Sequence, residues 1–283
     1  MGTEHKMIIP IENTEKGKEE GIESFKRVFD GLDKDTQGRL ALRNDENCYN
    51  IMDVIEIGKI LHLPVVFHNR NHEVNPSPLE KEDSAWIRAC RDTWKESDGK
   101  QMVYYAERSS GKKGDSLADT IGVRAFVPFY ESLDSEVDVM LEAKDRNLSA
   151  VKCINCIRTK KDIKVLELEW RKYKYSVLEN SHVAYLQIRA LLKDKEKYPA
   201  IPFYTLIEEA LEGRKRQGFV NAAQHVWGYF KTCATENEKS DFFMKMEAYK
   251  NSKAGMEEVK KNLWELSVKY EMKYLLESYY FIL

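Results

Sequence analysis

Six acidic or imidazole side chains stand at the ends of short apolar runs: His68 and His72 after PVVF, Glu142 after DVML, Glu12 after IIPI, Asp45 after LALRN and Glu107 after VYYA. Such nitrogen and oxygen donors bind divalent cations, and three of them converging suffice for one Zn or Mn ion. The competing arrangement is electrostatic. In it Arg43, at the end of LALR, pairs with Glu142 between neighbouring strand ends, and His68 is an ordinary hydrogen-bonded residue. Cys153 and Cys156 form a lone CxxC with no second CxxC or nearby His, and a spacing of i, i+3 places both on an apolar helix face. With Cys48, Cys90 and Cys233 the cysteines number five, odd and scattered, which suits reduced thiols better than a disulfide framework.

Two basic loops could meet phosphate. RSSGKKGDS carries Arg108, Lys112 and Lys113, which would position a nucleic-acid backbone without reading its sequence; EGRKRQG carries Arg214, Lys215 and Arg216 among acids and reads as a solvated loop. Farther on, Asn221, Gln224, His225 and Tyr229 recur at helical spacing beside Trp227 and Phe230, a stripe whose default role is a hydrogen-bonded core network. No Walker loop, dinucleotide fingerprint or HExxH helix occurs.

These residues need elements to hold them. A length of 283 residues, at about 150 per domain, predicts two domains. Lys+Arg 45 against Asp+Glu 47 gives a net charge of -2, so any attraction to nucleic acid must be local. From residue 6 to about 159 the pattern alternates between strands, predicted at 6–11, 39–43, 64–68, 101–105 and 137–141, and helices, predicted at 15–32, 51–62, 79–94 and 119–133. Parallel strands joined by helices place chemistry at the strand carboxyl ends, where the donors above fall. Thereafter helical periods dominate, at 166–178, 185–192, 203–211, 220–233, 242–249, 259–270 and 275–281, interrupted at Pro199 and Pro202. The predicted domains are an α/β domain over 1–160 and an all-α domain over 161–283, with the apolar end LLESYYFIL docked on the latter. No stretch is long and apolar enough for a membrane span and the start lacks a signal-peptide pattern, so a cytoplasmic protein is expected.

Read in order, RLALRNDENCY (39–49), LPVVFHNRNHEVNP (63–76), TWKESDGKQMVYYAE (93–107), GKKGDSLADTI (111–121) and DVMLEAKDRNLSAVK (138–152) resemble the UV damage endonuclease family. The tail, with GFVNAAQHVWGYF and YLLESYYFIL, is similar to the C-terminal extension of some bacterial members. The resemblance implies a TIM-type (β/α) barrel and metal-dependent incision of DNA 5′ to ultraviolet photoproducts, with a cluster of divalent metals, often manganese. It covers only the second half of that barrel. The fold expected here is therefore a partial barrel of about five parallel strands followed by the helical domain, truncated at its N-terminus, with two open edges.

The resemblance also implies where metal ligands should stand, and most have changed. Pro10 replaces a His, Arg43 a Glu, His68 an Asp, Asn71 a His, Met102 a Lys, Tyr104 a His and Leu117 a His; Glu142 is retained, and His72 persists from the same block as His68. A guanidinium repels a divalent ion, and Leu117 cannot bind one. Residues of the scaffold persist, among them Asn44, Asp45, Asn69, Asn75 and Pro76. The expectation is a DNA-repair protein with impaired catalysis, weak or absent metal binding, and UV-damaged double-stranded DNA as partner. Two rivals stand beside it: a noncatalytic scaffold acting through the helical domain, and one half of a split enzyme whose barrel a protein partner or self-association completes.

Overall fold

The computed structural model describes residues 4–12, 15, 17–109, 117–134, 137–145, 147–212 and 218–283. The chain divides into two compact units, Met1–Cys153 and Ile154–Leu283. In the first, five strands, β1 (Met7–Ile9), β2 (Leu40–Arg43), β3 (Val65–His68), β4 (Met102–Ala106) and β5 (Asp138–Glu142), form one sheet in that order. Every pairing is parallel. All five lie within a residue or two of their predicted positions. The connecting helices are α1 (Lys18–Asp30), α2 (Lys34–Arg39), α3 (Ile51–Leu61), α4 (Asn69–Val74), α5 (Asp83–Arg91) and α6 (Val123–Glu131), with α7 (Asn147–Ile157) following β5. The short α2 and α4 were not predicted, because six residues are too few to display a helical period.

Alternation along the strands sorts the two faces of the sheet. Leu40, Leu42, Val65, Phe67 and Val103 pack with Phe29, Val54 and Trp86 in the core beneath the helices. Arg43, Val66, His68, Met102 and Tyr104 take the opposite, concave face. Helix α3 approaches β3 closely at Gly58, where a Cβ would come within 2.5 Å of the Val65 side chain and 2.9 Å of the Leu63 carbonyl. At the amino ends of the strands Lys6 donates to Asp98 and to the Gly38 carbonyl, each at 2.6 Å, clamping the bottom of the sheet. The result is a half-barrel of five parallel strands whose carboxyl ends share one rim.

The second unit contains α8 (Ile163–Asn180), α9 (His182–Leu191), α10 (Ala200–Glu212), α11 (Phe219–Trp227), α12 (Glu236–Lys250), α13 (Met256–Lys269) and α14 (Lys273–Leu276). Pro202 sits in the first turn of α10, where its missing N–H removes no helical hydrogen bond. Gly218 enters α11 against α8; a Cβ there would overlap the Leu178 carbonyl oxygen. Tyr175, Phe219, Trp227, Phe242, Leu263 and Tyr280 belong to its core. The C-terminal segment docks as expected, with Leu275 and Tyr280 fully buried, though its end is a 3-10 turn, Tyr279–Phe281, rather than a continuous helix. The stripe on α11 corrects the sequence reading: Asn221, Gln224 and His225 are exposed, and only Tyr229 finds a core partner, accepting from the Tyr175 hydroxyl at 3.0 Å. The helical period was right; its polar face points to water.

Candidate functional site

A cleft of about 350 Å³ opens at the carboxyl rim of the half-barrel, lined among others by Pro10, Arg43, His68, Arg70, Asn71 and Glu142. Two asparagines that directly follow strands set its shape. Asn44, fully buried, accepts the His68 N–H at 2.8 Å and donates to the His68 carbonyl at 3.1 Å. Asn69 repeats the device one strand on, accepting the Ala106 N–H at 2.8 Å and donating to its carbonyl at 3.0 Å. Each side-chain amide thus continues the ladder past the end of its strand and satisfies backbone groups that burial would otherwise strand. The wall after β2 is built by Asp45, whose carboxylate accepts the N–H groups of Asn47, Cys48 and Tyr49 at 2.6–2.9 Å.

His68, 2% exposed, carries the logic of the site. Its Nδ1 accepts the Asn71 N–H at 3.3 Å, which leaves the proton on Nε2, 3.2 Å from Glu142 Oε2. Both ring nitrogens are therefore used, one as acceptor and one as donor to the carboxylate. That hydrogen bond holds Glu142 below the usual carboxylate range; burial opposes it, and the nearby charges of Arg43 and Arg70 add to it. The Tyr104 ring stacks on His68 at 5.5 Å, and burial beside Glu142 pushes its phenol up. Arg70 lies 3.6 Å from Glu46.

The predicted ligands do not converge. Glu142 and His68 meet, but His72 turns away onto Phe67 and Trp86, at ring separations of 5.3 and 5.9 Å, and lines a separate cavity with Pro76 and Lys81. Burial lowers its pKa. Glu107 accepts the Gly122 N–H at the start of α6, Asp45 is saturated by its own loop, and Glu12 is exposed. Asn71 is a strut rather than a ligand, donating to the Asn44 carbonyl at 2.8 Å. Leu117 bridges Arg108, which itself pairs with Glu73 at 3.3 Å; Lys112 and Lys113, like Arg214, Lys215 and Arg216, lie outside the described residues. Pro10 forms part of the cleft wall, and Met102 sits on the concave face next to Asp138.

The expected Arg43–Glu142 ion pair is also corrected. β2 and β5 are not neighbours but are separated by β3 and β4, and Glu142 takes His68 as its partner. Only the curl of the sheet brings Arg43 near enough to act on Glu142 through its charge. Cys153 and Cys156 lie on α7 as thiols, the first buried.

A divalent metal does not fit these side chains as they stand. Among the described residues no group of three or more His, Cys, Asp or Glu is placed to hold one. Ligation by His68 Nε2 would drive its proton onto Nδ1, against the Asn71 N–H, and two arginines raise the local potential. What the cleft offers is a hydrogen-bonded imidazole–carboxylate pair flanked by guanidinium groups. Sequence reasoning missed the part played by Asn71 and Arg70, since an Asn in place of a His announces a loss and not a strut.

The class defined by this architecture is a half-barrel of parallel strands with its cleft at the carboxyl ends, joined to a helical unit. Residues 1–173 match the UV-endonuclease UvdE family, and residues 174–283 match a second family described as a protein of unknown function, DUF1722. The chain belongs to the UV-endonuclease UvdE family. It is 29% identical over 251 residues to the UV DNA damage endonuclease of Clostridium perfringens, covering 86% of this chain and 58% of that one. It is 26% identical over 149 residues to the UV DNA damage endonuclease of Halalkalibacterium halodurans, covering 51% and 46%. The crystal structure of SacUVDE superposes with a TM-score of 0.50 at 30% identity, over 54% of this chain and 50% of that one. The chain thus spans about half the length of these relatives. No helix among the described residues is long and apolar enough to cross a membrane.

Proposed function

We propose that this chain is a DNA-repair protein that engages UV-damaged double-stranded DNA, and that the described half-barrel does not by itself support metal-dependent incision. The observation that carries this reading is the state of His68, with both ring nitrogens engaged and Glu142 held as its partner. Hydrolysis of a phosphodiester needs a group that generates hydroxide and charge that stabilises the phosphate in the transition state. The retained carboxylate is instead spent on an imidazole, and Arg43 occupies the position that the family resemblance gives to a carboxylate ligand. Positive charge at that position suits contact with a phosphate and opposes a metal.

The test is incubation of irradiated supercoiled plasmid with the full chain and manganese, following nicking and bound metal together. Nicking no higher than that of Glu142→Ala, with manganese well below one ion per chain, is expected. Nicking that Glu142→Ala abolishes, with stoichiometric manganese, refutes the reading. Preferential binding of irradiated over untreated duplex is expected in the same preparation.

The sheet edges favour a second reading alongside the first. Among the described residues β1 pairs only with β2 and β5 only with β4, so each presents an unpaired edge that another polypeptide or a second copy would complete. A strictly monomeric mass by light scattering, in the presence and absence of DNA, argues against it.

A further inference from the structure

We propose that a face of the helical unit, built on α8, α9 and the segment around Tyr274, binds a nucleic-acid strand through its phosphates. This goes beyond the reading given for the cleft, and none of its residues lies in the first unit.

Charge and its pairing point to this face. On the helical unit most lysines near carboxylates are ion-paired: Lys172 with Glu169, Lys195 with Glu167, Lys250 with Glu247, Lys269 with Glu238. Other cations, among them Lys164, Lys193 and Lys273, have no ion pair among the described residues; of the unpaired cations Arg171, Lys174 and Arg189 rest on tyrosine rings. The Arg171 guanidinium lies 4.9 Å from the Tyr274 ring centre, the Lys174 ammonium 4.7 Å from the same ring and 4.5 Å from that of Tyr175, and the Arg189 guanidinium 5.7 Å from that of Tyr185. A ring face holds a cation in place without neutralising it, so each charge stays available to an outside anion. The acids nearest in sequence, Glu167, Glu169, Glu179 and Asp194, are committed to Lys195, Lys172, Lys260 and Lys197.

The rings form two groups, one carrying Arg189 and the other Arg171 and Lys174, which meet where Trp170 and Arg171 adjoin on α8. Trp170 packs on Tyr185 at 5.4 Å, Tyr229 stacks on Tyr274 at 5.5 Å, and the Tyr175 hydroxyl bonds Tyr229. Trp170, Tyr185, Tyr229 and Tyr274 are partly exposed, and Arg171 and Arg189 are exposed. Unpaired cations interleaved with accessible aromatic rings match a polyanion that carries planar groups. That describes a nucleic acid better than an acidic protein surface, whose carboxylates would find the cations but give the rings nothing to stack on.

The test uses the full chain and fluorescein-labelled DNA of one sequence, single-stranded and duplex, followed by anisotropy across a salt series. The proposal expects binding whose logarithm falls linearly with the logarithm of salt. In Arg171→Gln/Lys174→Gln/Arg189→Gln the slope should shrink by about 2, from three phosphate contacts at about 0.7 each, with affinity at least about tenfold weaker near 0.1 M salt. Arg171→Lys/Arg189→Lys keeps the charges and should keep the slope, which separates lost charge from lost folding. An abasic strand of equal length should bind several-fold more weakly than the normal strand. Absence of binding, an unchanged slope in the triple variant, or displacement by polyglutamate as effective as by oligonucleotide overturns the proposal. Failure here leaves the reading of the cleft standing, whereas loss of preference for irradiated duplex with strand binding intact rejects that reading alone.

Discussion

Replacing Asn44 by Ala tests the account of how the cleft is held. The side-chain amide satisfies both the N–H and the carbonyl of His68, at 2.8 and 3.1 Å, at a position with no solvent exposure. Ala leaves both backbone groups without a partner. An unsatisfied buried polar group costs about 1–3 kcal/mol, so the pair sets a range of about 2–6 kcal/mol. Water entering from the adjoining cleft would reach part of the vacated volume and brings the expected loss to about 3 kcal/mol. Because the chain divides into two compact units, a single global transition is a poor probe; hydrogen exchange at the His68 amide reads the first unit directly. That amide should lose protection by roughly two orders of magnitude, following about 1.4 kcal/mol per factor of ten. The Glu142 carboxyl should at the same time move back toward its ordinary pKa, since the imidazole that depresses it is no longer fixed. A cost below about 1 kcal/mol, or an unchanged Glu142 titration, refutes the claim that Asn44 positions His68.

Asp83, at the start of α5, has its pKa raised to about 6 by burial and by Glu73 and Glu82. A raised folded-state value favours the folded state most below the unfolded value near 4 and loses that contribution as pH rises through 6; Asp83→Asn should remove this slope and stabilise the protein at pH 7–8 by about 1–2 kcal/mol after discounting for partial exposure, as urea titrations at several pH values would report. Glu142 shifts the other way: its stabilising contribution is present above the ordinary carboxylate pKa and disappears as pH falls through its lower folded value, so Glu142→Gln should flatten the acid side of the stability profile of the first unit. Tyr280 is fully buried with Leu275 against the helical core, and Tyr280→Ala should cost about 3–5 kcal/mol in that unit, visible as early loss of protection in α13, while leaving the His68 amide unchanged.

The strands were legible because their chemistry is local. PVVF and VYYA are short β-branched or aromatic runs and LALR is a short apolar run, each bounded by turn residues, and their positions in the chain located β2, β3 and β4 to within a residue or two. The long helices were legible by their apolar period, and the end of the chain by an apolar content that demands burial. The residues at the strand ends, Arg43, His68 and Glu142, could be marked as one rim from the rule that parallel strands gather function at their carboxyl ends. Partner choice was beyond the sequence. Whether Glu142 takes Arg43 or His68, whether His72 faces the cleft or Trp86, and whether Asn221 to His225 line a core or face water all depend on directions in space that spacing along the chain leaves open. The curl of the sheet decides the first by carrying the end of β5 back toward β3, the turn of α4 decides the second, and the packing of α11 through Ala222, Ala223 and Val226 decides the third, because a helix with one small apolar face must send its other face to solvent.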